Sequence, residues 1–99
     1  MGPSDFVAKA NEKQAWLPGK RVKFDFGGEG IAILDGVANQ ASGEDGPADT
    51  TIKVSWEDFM AMREGKLDGM TAFMQGKLKV EGDMSNAMQL QGVLAKLAG

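Results

Sequence analysis

Histidine and cysteine are both missing from this sequence. That removes the commonest general base, the commonest metal nitrogen ligand and the thiol nucleophile. The polar residues that do cluster are Glu44, Asp45 and Asp49; their spacing is not that of a calcium loop, and a flexible acidic loop is the better reading. Gly28-Glu29-Gly30 lacks the third glycine, the crossover helix and the downstream acid of a dinucleotide site, and no Gly-x-Ser-x-Gly elbow occurs. The expectation is a protein that is not an enzyme and carries no cofactor and no metal. What gathers instead is soft and apolar. Of the seven methionines, every one after Met1 falls in one stretch, as Met60, Met62, Met70, Met74, Met84 and Met88. Methionine refits itself around irregular apolar shapes, so these residues can line a lipid pocket or simply fill a core.

A few polar groups beside that stretch carry two readings each. Gln75, next to Gly76, either reaches into such a pocket to donate to a ligand oxygen or faces solvent at a helix end. Lys66, Lys77 and Lys79 either meet anionic heads or act as solubilising gatekeepers on an outward strand face, and the second is favoured. Trp56 is read as a helix-start anchor before a membrane-touching residue.

Local signals supply the elements that would position these groups. Ser4 can cap a helix from Asp5 to Trp16 with Phe6, Ala10 and Leu17 on one side, and Pro18-Gly19 stops it. Arg21 to Phe26 alternates polar and apolar, which puts Val22, Phe24 and Phe26 on one face of a strand. Gly27-Gly28-Glu29-Gly30 turns the chain, and Ile31 to Asp35 returns as a hairpin. Gly36 breaks it, Val37 begins a third strand, and a polar, glycine-rich loop runs from Asn39 to Asp49. Thr50 to Val54 alternates again, with Ile52 and Val54 inward. Ser55 caps a helix that Asp58 supports and Gly65 ends; Asp68 starts a shorter one with Met70, Phe73 and Met74 at helical spacing. Gly76 releases a strand from Lys77 to Glu81 with Leu78 and Val80 inward, and Asp83 caps a last helix carrying Met84, Ala87, Met88, Leu90, Val93, Leu94 and Leu97. Early strands and interspersed helices describe an α+β layer.

The bulk numbers agree with a single globular domain over residues 1–99, at 42% hydrophobic and 25% charged residues. No apolar run is long enough to span a bilayer and no secretory segment opens the chain, so a cytoplasmic protein is expected. A net charge of −3 gives no reason to expect nucleic acid.

Residues 50–90 resemble the core of the sterol carrier protein 2 domain, the nonspecific lipid-transfer family. The likeness rests on Ser55 to Phe59 opening a helix, Gly65-Lys66-Leu67, the run from Ala72-Phe73-Met74-Gln75-Gly76 through Lys77-Leu78-Lys79-Val80-Glu81-Gly82-Asp83, and Ala87-Met88-Gln89-Leu90. It implies a roughly five-stranded, mostly antiparallel sheet with helices packed on one face and a hydrophobic tunnel between the layers. The tunnel would hold fatty acids, acyl-CoA esters, sterol-like or polyprenyl lipids. The ligand-lining set expected here is Phe24, Phe26, Ile33, Val54, Phe59, Met60, Met70, Phe73, Met74, Gln75, Leu78, Val80, Met84, Met88, Leu90 and Leu94. Three features depart from the family. The amino-terminal helix is shorter, which thins the outer wall or leaves it to a second subunit of a homodimer. Gln89 stands where relatives often have lysine. Ala95-Lys96-Leu97 resembles the peroxisomal tripeptide but is followed by Ala98-Gly99, so peroxisomal import is not expected.

Magnitudes favour a filled or adaptable pocket. An empty tunnel of about 300 Å³ would cost about 7 kcal/mol at ~24 cal/mol per Å³, comparable to the whole stability of a domain this size. Burying a sixteen-carbon chain returns about 13 kcal/mol gross, much of which association removes, so micromolar and promiscuous binding is expected. The leading expectation is binding and intracellular transfer of a long-chain lipid or other hydrophobic small molecule, with transient membrane contact. The alternative is a non-enzymatic accessory module that presents a lipid, or docks a partner protein or second copy, through the same groove.

Overall fold

The computed structural model describes residues 2–98, with residue 91 and residues 94–98 described by their backbone alone. The order is α1 (Pro3–Lys13), β1 (Arg21–Asp25), β2 (Ile31–Asp35), β3 (Gln40–Ser42), β4 (Thr50–Val54), α2 (Trp56–Arg63), α3 (Gly69–Met74), β5 (Leu78–Gly82) and α4 (Met84–Ala98). The five strands form one sheet in the order β3-β2-β1-β4-β5. Its β1–β2, β2–β3 and β4–β5 pairings are antiparallel, as expected, but the central β1–β4 pairing is parallel, so the sheet is mixed. Residues 43–49 cause this. After β3 they cross the sheet's outward face, where Lys23 Nζ donates to Asp45 Oδ1 at 2.8 Å and to the Gly46 carbonyl at 3.3 Å, and deliver β4 to the far edge of β1. The acidic loop is thus used as a strap.

Register decides which side chains meet. Val22 lies opposite Leu34 and Thr50, Phe24 opposite Ala32 and Ile52, and Ile52 opposite Val80. The period of two puts all of these on one face, which is the face the helices cover. Phe6 of α1 is 1% exposed and meets Phe24, Phe26 and Phe59 edge-on, with ring centroids 5.7, 6.3 and 4.9 Å away. Trp56 closes the group 5.0 Å from Phe26, the anchoring role expected of it.

Besides one-residue shifts at β1, which ends at Asp25, and β5, which runs Leu78–Gly82, three boundaries differ from expectation, each for a local reason. Helix α1 starts at Pro3 rather than Asp5, because proline lacks only an N–H that the first turn leaves unbonded anyway; the Asp5 carboxylate accepts from Gly2 N at 2.9 Å. It ends at Lys13 because Gln14 adopts a left-handed conformation, φ 53°, which lets Ala15 and Leu17 turn back into the core. Val37 does not begin the third strand. The Asp35 carboxylate accepts from the Val37 and Ala38 backbone N–H groups at 2.9 and 2.8 Å, which fixes a turn and leaves Val37 exposed. The strand forms later, at Gln40–Ser42, where the Asn11 side chain bonds both backbone groups of Ala41. Gly36 is required where it stands, since a Cβ there would strike the Leu17 carbonyl.

Candidate functional site

The site grows from the carboxyl-terminal half of the sheet. Phe24, Ile52, Val54, Leu78 and Val80 form a floor, and three helices stand over it. Ser55 Oγ accepts from Asp58 N at 3.0 Å and sets the start of α2, which contributes Phe59 and, one turn on, Met62. Asp68 accepts from Thr71 N at 3.1 Å and starts α3, which contributes Gly69, Met70 and Phe73. Asp83 Oδ1 accepts from the Ser85 N–H at 2.9 Å and its hydroxyl at 2.6 Å at the start of α4, which contributes Met84, Ala87, Met88 and Leu90. The Ser85 hydroxyl, then its N–H, hold the Asp83 carboxyl below the usual carboxylate range.

Between floor and helices lies an apolar cavity of about 460 Å³. Fully enclosed and empty, that volume would cost about 11 kcal/mol at ~24 cal/mol per Å³, against a total stability of roughly 5–15 kcal/mol. The cavity instead opens to solvent between α3 and α4, where Met70, Met84 and Met88 are 66%, 46% and 70% exposed and Phe73 is 45% exposed. Among the described residues, no lining residue carries a polar or charged side chain.

A buried polar link holds α4 over the floor. Asn86 and Thr50 are each 1% exposed; Asn86 Nδ2 donates to Thr50 Oγ1 at 3.1 Å, and that hydroxyl donates to the Asp83 carbonyl at 2.7 Å.

Of the expected lining, the structure brings together Phe24, Val54, Phe59, Met70, Phe73, Leu78, Val80, Met84, Met88 and Leu90. Phe26 lies outside the lining, in the aromatic group with Phe6 and Trp56. Ile33 is on the opposite face: Val22 and Phe24 pair with Leu34 and Ala32, so Ile33 points outward and packs beneath Gly46. Met60 is one residue past Phe59, a hundred degrees around α2, and is outside the lining. Met74 is 79% exposed and Gln75, which caps the end of α3, is exposed; neither lines the cavity. The side chain of Leu94, and those of Ala95-Lys96-Leu97, fall outside the described residues. Ile52, Met62, Gly69 and Ala87 complete the lining. Ile52 and Met62 had signals in the strand alternation and in the i+3 spacing from Phe59; Thr50 shared the alternation of Ile52, and Asn86 had no signal.

A mixed sheet with its helices on one face around an open apolar cavity defines an α+β cavity domain. The chain belongs to the SCP-2 sterol transfer family, whose sequence model matches residues 6–95. It is 40% identical over 63 residues to sterol carrier protein 2 of Gallus gallus, covering 64% of this chain and 12% of that protein. It is 38% identical over 98 residues to hydroxysteroid dehydrogenase-like protein 2 of Xenopus tropicalis, covering 98% of this chain and 20% of that protein. The chain therefore spans only a small part of these relatives. In fold it is similar to sterol carrier protein 2 of Aedes aegypti, solved in complex with palmitate, with a TM-score of 0.76, 19% identity, and 97% and 96% of the two chains covered. The apo form of sterol carrier protein 2 from Yarrowia lipolytica matches with a TM-score of 0.68 at 22% identity, covering 96% of this chain and 80% of that one.

Proposed function

We propose that this domain is a non-catalytic lipid carrier, taking the acyl chain or ring system of a fatty-acyl or sterol-like molecule into the cavity and releasing it through the mouth between α3 and α4. The observation that carries the reading is the open cavity of about 460 Å³, lined by apolar side chains among the described residues, well inside the range of small-molecule sites. Family membership supports it, as does the palmitate held by the mosquito relative. Because no polar side chain lines the cavity among the described residues, a ligand's head group stays at the mouth, and the apolar chain supplies most of the affinity. The exposed Met70, Phe73, Met74 and Met88 then rest against a membrane during exchange.

Displacement of a fluorescent sixteen-carbon fatty acid tests the proposal. Micromolar binding is expected, with Ala87→Trp, which fills the cavity from α4, weakening it at least tenfold. No displacement by fatty acid, sterol or acyl ester, together with no lipid in an organic extract of the purified protein, would sink it.

A further inference from the structure

The cavity mouth is built from thioethers in an unusual setting. Met70, Met84 and Met88 line the cavity yet are 66%, 46% and 70% exposed, so an oxidant in water reaches sulfurs that a ligand must also touch. We propose that these three methionines are a sulfoxidation site, at which a peroxide-class oxidant shuts off ligand capture; the inference rests on the lipid-carrier reading. In the reaction a thioether sulfur attacks one peroxide oxygen, the O–O bond breaks and an S–O bond forms. The sulfur is oxidised by two electrons, and the departing hydroxide takes up the remaining peroxide proton to leave as water. The product is polar where the thioether was apolar. Ligand entry must then dehydrate a sulfoxide oxygen against lining side chains that, among the described residues, offer it no donor, which costs free energy.

The molecule contains its own control. Met74 is 79% exposed but does not line the cavity, so it oxidises readily without meeting the ligand. The experiment treats the purified protein with hydrogen peroxide, with and without a saturating fluorescent sixteen-carbon fatty acid, and maps sulfoxides by peptide mass spectrometry. Bound fatty acid is expected to slow oxidation of Met70, Met84 and Met88 severalfold and to leave Met74 unchanged. Protein oxidised at those three positions is expected to bind the fatty acid about tenfold more weakly or worse. Treatment with methionine sulfoxide reductases of both stereospecificities restores the affinity. In the combined variant Met70→Leu, Met84→Leu and Met88→Leu, peroxide kept to the dose that oxidises exposed Met74 but leaves the half-buried Met62 intact by peptide mass spectrometry is expected to leave the affinity unchanged, whereas Met74→Leu remains as sensitive as the parent. Should the combined variant not fold, as read by circular dichroism, protection mapping on the unmutated protein decides the question.

Unchanged affinity after complete oxidation of the three residues overturns the inference and leaves the carrier reading standing. So does fatty acid that protects them no better than Met74. Absence of fatty-acid binding before any oxidation overturns both.

Discussion

Phe6 and Met70 are both apolar helix residues, yet the structure gives them opposite duties. Phe6 is 1% exposed and touches three other phenylalanine rings, whereas Met70 stands 66% exposed at the cavity mouth. Phe6→Ala therefore leaves a hole in the centre of the core and is expected to cost about 3–5 kcal/mol in urea unfolding. Met70→Ala removes a side chain that is mostly in water, and its cost is expected to stay below about 1 kcal/mol. Similar unfolding midpoints for the two would contradict this division between structural and ligand-facing apolar residues. Residue-level reading of the sequence misses the division at Ile33. Residues 31–34 are all apolar, so the alternation that sorts faces is silent, and only the register against Val22 and Phe24 turns Ile33 outward.

The capped helices were the most legible elements, because Ser55, Asp68 and Asp83 are residue types whose side chains bond the first turn wherever they precede an apolar run. Strand β3 was not legible, since Gln40-Ala41-Ser42 offers one apolar residue and is held by Asn11, thirty positions away. The parallel β1–β4 pairing was equally hidden, because it depends on where residues 43–49 cross rather than on any local pattern. Helix α4 yields an acid-sensitivity test. Hydrogen bonds from Ser85 hold the Asp83 pKa below its ordinary 3.8, so its ionised cap stabilises the fold above that value and the contribution is lost as pH falls through the lower, folded one. Thermal melts between about pH 5 and pH 2 should fall less steeply in Asp83→Asn than in the parent. Parallel curves would show that the cap does not act through its charge. At neutral pH, Asp83→Ala is expected to lower the urea unfolding midpoint through loss of the cap.

For the molecule as a whole, charge and ligand chemistry are kept apart. The Lys53–Glu81 pair, 3.0 Å apart, and the Lys23–Asp45 pair, 2.8 Å apart, sit on the outward face of the sheet, while the lining of the cavity has no charged side chain among the described residues. Affinity for an uncharged lipid should therefore hold within about twofold between roughly 0.05 and 0.5 M salt, because screening acts on charges this site does not use. A steep salt dependence in fluorescence titrations would point to an ionic contact that the cavity lacks.

The two sides of the parallel seam between β1 and β4 differ in how deeply they are buried. On one side, α1 and β1–β3 surround the interlocked rings; on the other, β5 is an edge strand with half-buried Leu78 and Val80, and α3 buries only Ala72. Backbone amides of Val22, Phe24 and Leu34 should thus resist deuterium longest, while those of α3 and β5 exchange through cheap local openings that never melt the rest. Such breathing confined to one half would let a bulky guest come and go while its host stays folded.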